Sequence, residues 1–494
     1  MPSDDLLLLI TQLGQRLDEQ GRQLQRQTEQ LEEQTIQIKE QADRIKELEA
    51  ENTHLKELLR QQGESKGSPP PKFNENYSVD THKGNKKSKR GRQATGRRPH
   101  QSKVSLIDVY QDVYELGVDA SACIERGQQY VWRIIDGKAT YVCYRLFARP
   151  QSQVLPTITG VRNRLSEYGI EIIVTVAFLH YWVGISLDSA CGVIGFFTGL
   201  VLSKSQANSL LEQLSRDWQD QYDTIAELLA HQLVLYIDET GWKVGNGSCY
   251  TWVFSTTMHV LFRCGVGRGK AEAQAVVGEQ FAGIGVSDDY GAYQSMFTEH
   301  QLCWAHLLRK AIKLMLQHPE QTAYKTFLDS LYRIYQQAVR WQKDQRLSSG
   351  RADKVEQLQH RIRKLCNEAG TPIDKEAMDN DQQTFIRLQN ELINGLESLF
   401  IFVVHPDVEP TNNRSERNIR REAEVRKGGR TSKTPEGAKR RGIIMTVLAT
   451  LNTRFEHFTL NSLLTEINRW IETGQSLFQT ELNHINQTQA PPIS

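Results

Sequence analysis

The sequence predicts an α/β protein: a mixed five-stranded sheet faced by helices, interrupted by a helical insertion and preceded by a coiled coil and a helix-turn-helix. Three observations predict it. Between residues 233 and 307, apolar runs of strand length alternate with a helical run, the pattern of a sheet with helices on its faces. Between 311 and 405, long segments carry apolar residues at helical spacing. Before residue 62, apolar residues recur every seven positions.

The chain of 494 residues is long enough for roughly two to four domains. Hydrophobic residues make up 39% and charged residues 24%, ordinary for a soluble protein. The net charge of +1 is uninformative, but its distribution is not. No apolar run reaches the roughly 18 residues of a membrane span. The run Leu6 to Ile10 follows two aspartates and is too short for a secretory signal. No membrane partner and a cytoplasmic location are therefore expected. Seven cysteines form no CxxC pair, so reduced thiols are expected.

The heptad positions are Ile10, Leu17, Leu24, Leu31, Ile38, Ile45, Asn52 and Leu59, with Leu13, Gln20, Gln27, Gln34, Gln41, Leu48 and Leu55 as the companion seam. Residues 1–62 therefore read as a coiled coil joining copies of the chain, with Asn52 setting register. A lone solvated helix would show the same pattern. Residues 63–104 read as a disordered linker, with Pro69 to Pro71 and few large apolar side chains. Its second half is a basic arm that includes Lys86, Lys87, Lys89, Arg90, Arg92, Arg97 and Arg98, with no acid between Asp80 and Asp108. Such an arm releases counterions on meeting phosphate, although a merely solubilising linker has the same composition.

Residues 105–155 form a small strand-rich unit, in which Tyr130–Ile135 and Ala139–Phe147 flank the turn dipeptide Asp136-Gly137. Cys123 and Cys143 lie in it, and two cysteines do not make a four-ligand zinc site. Residues 156–230 are helical. Leu187–Phe197 and Ser203–Arg216 are joined by Thr198-Gly199, with Ser203 as N-cap, and this spacing suits a helix-turn-helix. Lys204 and Gln206 stand near the start of the second helix, where such motifs touch DNA. The same helix pair also serves as plain structure in many proteins.

In the region 233 to 307, the strands expected are Leu233–Asp238, Cys249–Thr256, Met258–Cys264, Ile284–Asp288 and His300–His306, with a helix over Ala271–Phe281 and another between the last two strands. Two of these runs end in an acid, Asp238 and Asp288. Strand ends of one sheet converge, and two carboxylates brought together repel unless a cation lies between them. Mg²⁺ takes few protein carboxylates, and a third acid permits a second ion. The third candidate is Glu416, in Pro410-Thr-Asn-Asn-Arg-Ser-Glu-Arg-Asn-Ile-Arg420. There Thr411 is the expected cap, and Asn412, Glu416 and Arg420 share a helix face. Arg417, Arg420 and Lys427 add positive charge suited to phosphate, and Gly428-Gly429 ends the helix. Strand-end acids also serve as caps, and an acid among cations also serves as an ion-pair partner.

These strings together resemble the insertion-sequence 66 family of transposases, of the DDE class. The matching strings are Asp238-Glu-Thr, Ser287-Asp-Asp-Tyr-Gly-Ala-Tyr293, Cys303-Trp-Ala-His306 with Arg309-Lys310, and Asn412-Asn-Arg-Ser-Glu-Arg417. The resemblance implies a ribonuclease H-like catalytic core over 231–310 and 406–450, a helical insertion over 311–405 and a helical tail over 451–494. It also implies that 105–155 is a degenerate zinc-ribbon-like unit; with only Cys123 and Cys143 left, zinc is not expected. Asp238, Asp288 and Glu416 fall on the family's catalytic acids, with Asp289 beside the second of them.

The resemblance further implies two Mg²⁺ ions, with Mn²⁺ as a substitute. The activity it implies is that of a polynucleotidyl transferase and endonuclease cutting transposon ends and joining them to target DNA. Double-stranded DNA, a second copy of the chain and small accessory proteins of the element are the implied partners, with the protein nucleoid-associated when bound. Thr411 stands where the family carries an Asp. Cys303 and His306 are left as a buried thiol and a helix-start imidazole near the phosphates. A thiol enzyme would need an oxyanion motif and a third partner, which the sequence does not supply. The competing readings are a non-catalytic DNA-binding regulator, or domesticated transposase-derived protein, and a nuclease that cuts without joining.

Overall fold

The Asp136-Gly137 dipeptide reverses the chain with both residues at positive φ, 51° and 75°, the backbone of a two-residue hairpin turn. In the computed structural model, which describes residues 104–293, 295–347, 349–368 and 380–489, this turn joins β2 (Ile124–Ile135) to β3 (Lys138–Ala148). β1 (Val109–Tyr114) lies on the other side of β3, parallel to it. Val131, Val142, Tyr144, Leu146, Ile158 and Val161 form the small core beneath. Cys143 is buried opposite Tyr130, whereas Cys123 precedes Ile124 at the far end of the hairpin. The heptad segment and the basic arm, with Lys86, Lys87, Lys89, Arg90, Arg92, Arg97 and Arg98, lie outside the described residues.

Arg133 of β2 pairs with Glu171 at 2.7 Å and ties this sheet to α1 (Ile170–Ala177), which continues into a π turn at Phe178–Trp182. α2 (Leu187–Thr198) ends at Gly199, whose φ of 76° only glycine adopts freely. α3 (Lys204–Asp217) begins at a reciprocal cap between Ser203 and Gln206. α4 (Gln219–Ala230) follows.

The second sheet has five strands, β4 (Val234–Val244), β5 (Gly247–Ser255), β6 (Val260–Val266), β7 (Phe281–Ser287) and β8 (Phe297–Leu302), in the order β6-β5-β4-β7-β8. The first three run antiparallel, while β4, β7 and β8 run parallel, with α5 (Lys270–Val277) crossing from β6 to β7. Two expectations need correction. β4 does not end at Asp238, because its pairing with β5 continues to Val244. The polar residues 238–240 break the apolar run, but the backbone carries the ladder through them. β8 ends at Leu302, so Cys303 caps the next helix and His306 lies in its first turn. Among the described residues, a 3-10 turn, Gly291–Tyr293, is the one helical element between β7 and β8, where the sequence suggested a helix.

Alternation along β4 divides the interior. Leu235 and Ile237 join a core formed with α1, α3, α4 and the C-terminal helices. Tyr236 points the other way and joins Ile284, Val286 and Leu302 against the insertion. That insertion runs from α6 (Trp304–Gln317) through α7 (Thr322–Lys343), α8 (Arg351–Glu368), α9 (Asn380–Asn394) and α10 (Ile401–Val404). It leaves and rejoins the sheet at one point, where the Trp304 amide donates to Pro410 O at 3.0 Å.

The chain closes with α11 (Asn413–Lys427), α12 (Pro435–Arg454), α13 (Leu460–Thr473) and α14 (Leu477–Gln489). α12 is buried continuously from Arg441 to Leu451 and covers the sheet edge. Thr450 Oγ1 accepts from Val260 N at 3.1 Å and Thr446 Oγ1 from Phe262 N at 2.9 Å. Side-chain hydroxyls thus occupy edge amides of β6 that another strand would otherwise pair. Arg441 binds the fully buried Glu422 of α11 through two bonds of 2.7 and 2.9 Å, locking α12 to α11.

Candidate active site

The last parallel pair between β4 and β7 is Tyr236 with Val286. Asp238 and Asp288 each lie two residues beyond it, on the face that Tyr236 and Val286 occupy. The strands part at this point, and the two acids flank the gap. α11 completes the site because its start is fastened to β4. Asn412 Nδ2 donates to Ile237 O at 2.6 Å, and Ser415 Oγ donates to Tyr236 O at 2.8 Å. One residue after Ser415 comes Glu416, brought to Asp238 from far along the chain. Asn412, and not the expected Thr411, is the N-cap; its side chain reaches across to the strand, and Thr411 precedes the turn.

The Asp238 carboxyl is pushed up to about 8, first by burial and then by the negative charges of Glu239, Asp288 and Glu416; the hydrogen bond from Glu239 N opposes them. Glu239, its neighbour, is differently placed. Its side chain, 3% exposed, takes the Arg268 guanidinium at 2.9 Å and the Tyr293 hydroxyl at 2.5 Å. Asp288 Oδ1 accepts from Tyr290 N at 3.1 Å. Asp289 is exposed, and partial desolvation with the charges of Glu391 and Asp288 raises its pKa against the opposing Lys310 cation. The acids acting on Asp238 are thus Asp288 and Glu416 together with its own neighbour.

Glu416 Oε1 accepts from Arg309 Nη2 at 2.6 Å and stands 3.5 Å from His306 Nδ1. Burial and the Arg309 cation depress the His306 pKa, against the pull of Glu416 and Asp288. Cys303 Sγ accepts from Asn412 N at 3.1 Å. Among the described residues, Cys303, His306 and Glu416 are the only group of three ligating side chains whose donor atoms all come within 4.8 Å of one another. The carboxylates of Asp238, Asp288 and Glu416 do not all come within that distance of one another.

A cleft of about 390 Å³ opens beside Glu416 and is lined by Glu409, Asn413, Arg417 and Arg420. Arg417 and Arg420 are exposed there. Lys427 is exposed at the other end of α11, about 16 Å from Glu416 at the helix rise, so it cannot hold the same phosphate. Lys204 is exposed at the start of α3. Gln206 is engaged within the fold: its Oε1 accepts from Ser203 N and its Nε2 donates to Tyr168 Oη. The anchoring roles of Asn412 and Ser415 escaped the sequence reading, which saw only helical spacing there. Arg268 escaped it too, and Arg426, read from the sequence only as added positive charge, clamps the far end of α11 to Thr240 and Gly241 O on β4.

Acids gathered where two parallel strands part, with guanidinium groups at the rim, suit an enzyme that works on phosphodiesters. The comparison with known families supplies the particular: the model of the Transposase IS66 family matches residues 166–440, and the chain belongs to that family. No curated protein matches the chain. The matched span contains α1 to α11, all five strands of the second sheet and the acids at 238, 288 and 416. A transposase acts on DNA, and among the described residues no helix is long and apolar enough to cross a membrane.

Proposed function

We propose that the chain is a DDE transposase that cuts the ends of its element and joins them to target DNA, with Asp238, Asp288 and Glu416 as the triad. The observation that carries this reading is the convergence of three distant acids: Asp238 and Asp288 lie two residues past the Tyr236–Val286 pair, and the bonds of Asn412 and Ser415 to β4 carbonyls bring Glu416 beside them. Such a cluster is stabilised by a cation, and an all-oxygen donor set suits Mg²⁺ or Mn²⁺. Asp238 and Asp288 would hold one ion and Glu416 would complete the position of a second. Ions bound there supply Lewis-acid stabilisation of the attacking and leaving oxygens of an in-line displacement.

The rest is done by the chain's own groups. Arg417 and Arg420 hold the scissile strand's phosphates at the cleft. Arg309 pairs with Glu416 at the rim of the site. Water breaks the phosphodiester at the element's end, and the 3′-hydroxyl set free attacks a phosphodiester of the target. The mixed sheet with its acids at one end reads as ribonuclease H-like over 231–310 and 406–450, with 311–405 as its insertion. The region 156–230, with Lys204 exposed at α3, serves as the helix-turn-helix DNA contact, and the arm before residue 104 adds sequence-independent grip. The segment 1–62 joins two copies, so that two ends are held together.

The test is cleavage of labelled end DNA with Mg²⁺. Asp238→Asn is expected to abolish cleavage and to leave end binding intact. Cleavage at the wild-type rate by that variant rejects the triad.

A further inference from the structure

A second coordination set lies beside the acids and uses different chemistry. Cys303 caps α6 and His306 follows three residues later, so both project from the same side of the helix start. Glu416 reaches them from the first turn of α11. The donor atoms of these three all lie within 4.8 Å of one another. His306 Nδ1 is buried and has no hydrogen-bond partner. Cys303 is buried, and its sulfur already accepts the Asn412 amide, the kind of bond that supports a metal thiolate.

We propose that Cys303, His306 and Glu416 form a binding site for one transition ion of the Zn²⁺ or Co²⁺ class, with a fourth position open to water or substrate. A sulfur, a nitrogen and an oxygen donor select such an ion over Mg²⁺. Bond lengths of roughly 2.0–2.3 Å hold ligand atoms within about 4 Å of one another, so binding needs a closure of at most about 1 Å. Cys303 gives its thiol proton to solvent on binding, and neutral His306 binds through Nδ1. Arg309 must release Glu416; its side chain is 55% exposed, and so exposed a pair is weakly held. This set is distinct from Cys123 and Cys143, on which zinc was not expected.

The site does not depend on Asp238 and Asp288 binding Mg²⁺. It shares Glu416 with them, so an ion held there withdraws Glu416 from the triad. The test uses the full-length protein titrated with Co²⁺ alone, read by the thiolate-to-cobalt charge-transfer band in the near ultraviolet. Wild type is expected to take one Co²⁺ with that band, and Asp238→Asn and Cys123→Ser are expected to keep it. Cys303→Ser, which retains an acceptor for the Asn412 amide, and His306→Ala are both expected to lose it while keeping the wild-type circular dichroism. Absence of the band in wild type overturns the proposal. So does its survival in Cys303→Ser and His306→Ala, or its loss in Asp238→Asn, which would make Asp238 a ligand of that ion in place of the set proposed.

Discussion

Replacing Asp238 by Asn should make the protein more stable, by an amount that grows with pH. The carboxyl titrates at about 8 in the folded chain, against an ordinary 3.8. Between those values the unfolded state has released a proton that the folded state still holds. Stability conferred by the protonated carboxyl is full below 3.8 and is lost as pH rises through about 8. Each pH unit in that window costs about 1.4 kcal/mol, so the loss amounts to roughly 4 kcal/mol by neutral pH.

Asn removes the titration and keeps an oxygen to accept the Glu239 amide. The assay is urea unfolding followed by tryptophan fluorescence at about pH 5, 6.5 and 8. The gap between variant and wild type should widen steadily across that range. Mg²⁺ should narrow it by stabilising only the wild type, by about 2.7 kcal/mol at a hundred times its dissociation constant. An Asn variant no more stable than wild type at about pH 8, or a gap that stays constant with pH, would refute the crowding of Asp238 on which the site rests.

Three further outcomes are expected. Asp288→Asn should abolish end cleavage, whereas Asp289→Asn should stay within about tenfold of wild type, or about 1.4 kcal/mol of barrier; equal losses in a cleavage assay would show that the second acid is misassigned. Arg441→Met should destabilise the chain by about 3–5 kcal/mol by leaving Glu422 buried and unpaired, and adding Glu422→Leu should restore most of it; additive losses in denaturant unfolding would contradict this. Arg417→Ala and Arg420→Ala should each reduce the slope of log affinity against log salt by about 1 for end DNA; unchanged slopes would place the phosphates elsewhere.

Where local chemistry decides structure, the sequence was legible. Asp136-Gly137 specified its hairpin, Gly199 and Ser203 specified the joint between α2 and α3, and Gly428 closed α11. The five strands of the second sheet were countable from their apolar runs. What escaped depended on distant partners. Asp238 looked like a strand end because the apolar run stops there, yet β5 holds the backbone to Val244. Trp304 joins the insertion core instead of extending β8, donating its indole N–H to Leu399 O. Asn412 and Ser415 act through carbonyls of β4, and no spacing within their own helix reveals that. The acids themselves were legible as motifs, while their meeting depended on the parallel register of Tyr236 with Val286.

The bond between the Trp304 amide and Pro410 O has a consequence for growth of the chain. A long excursion whose two ends meet at that bond, with Gln301 of β8 bonded to Leu399 O and Phe402 N beside it, behaves as a graft on the sheet. Doubling such a loop adds only about 0.6 kcal/mol of closure entropy. Residues added between α6 and α7, away from Pro410, leave the spacing between Asp238 and Glu416 untouched, because that spacing is set at the base. The appendage is therefore free to change size and surface while the acids keep their places.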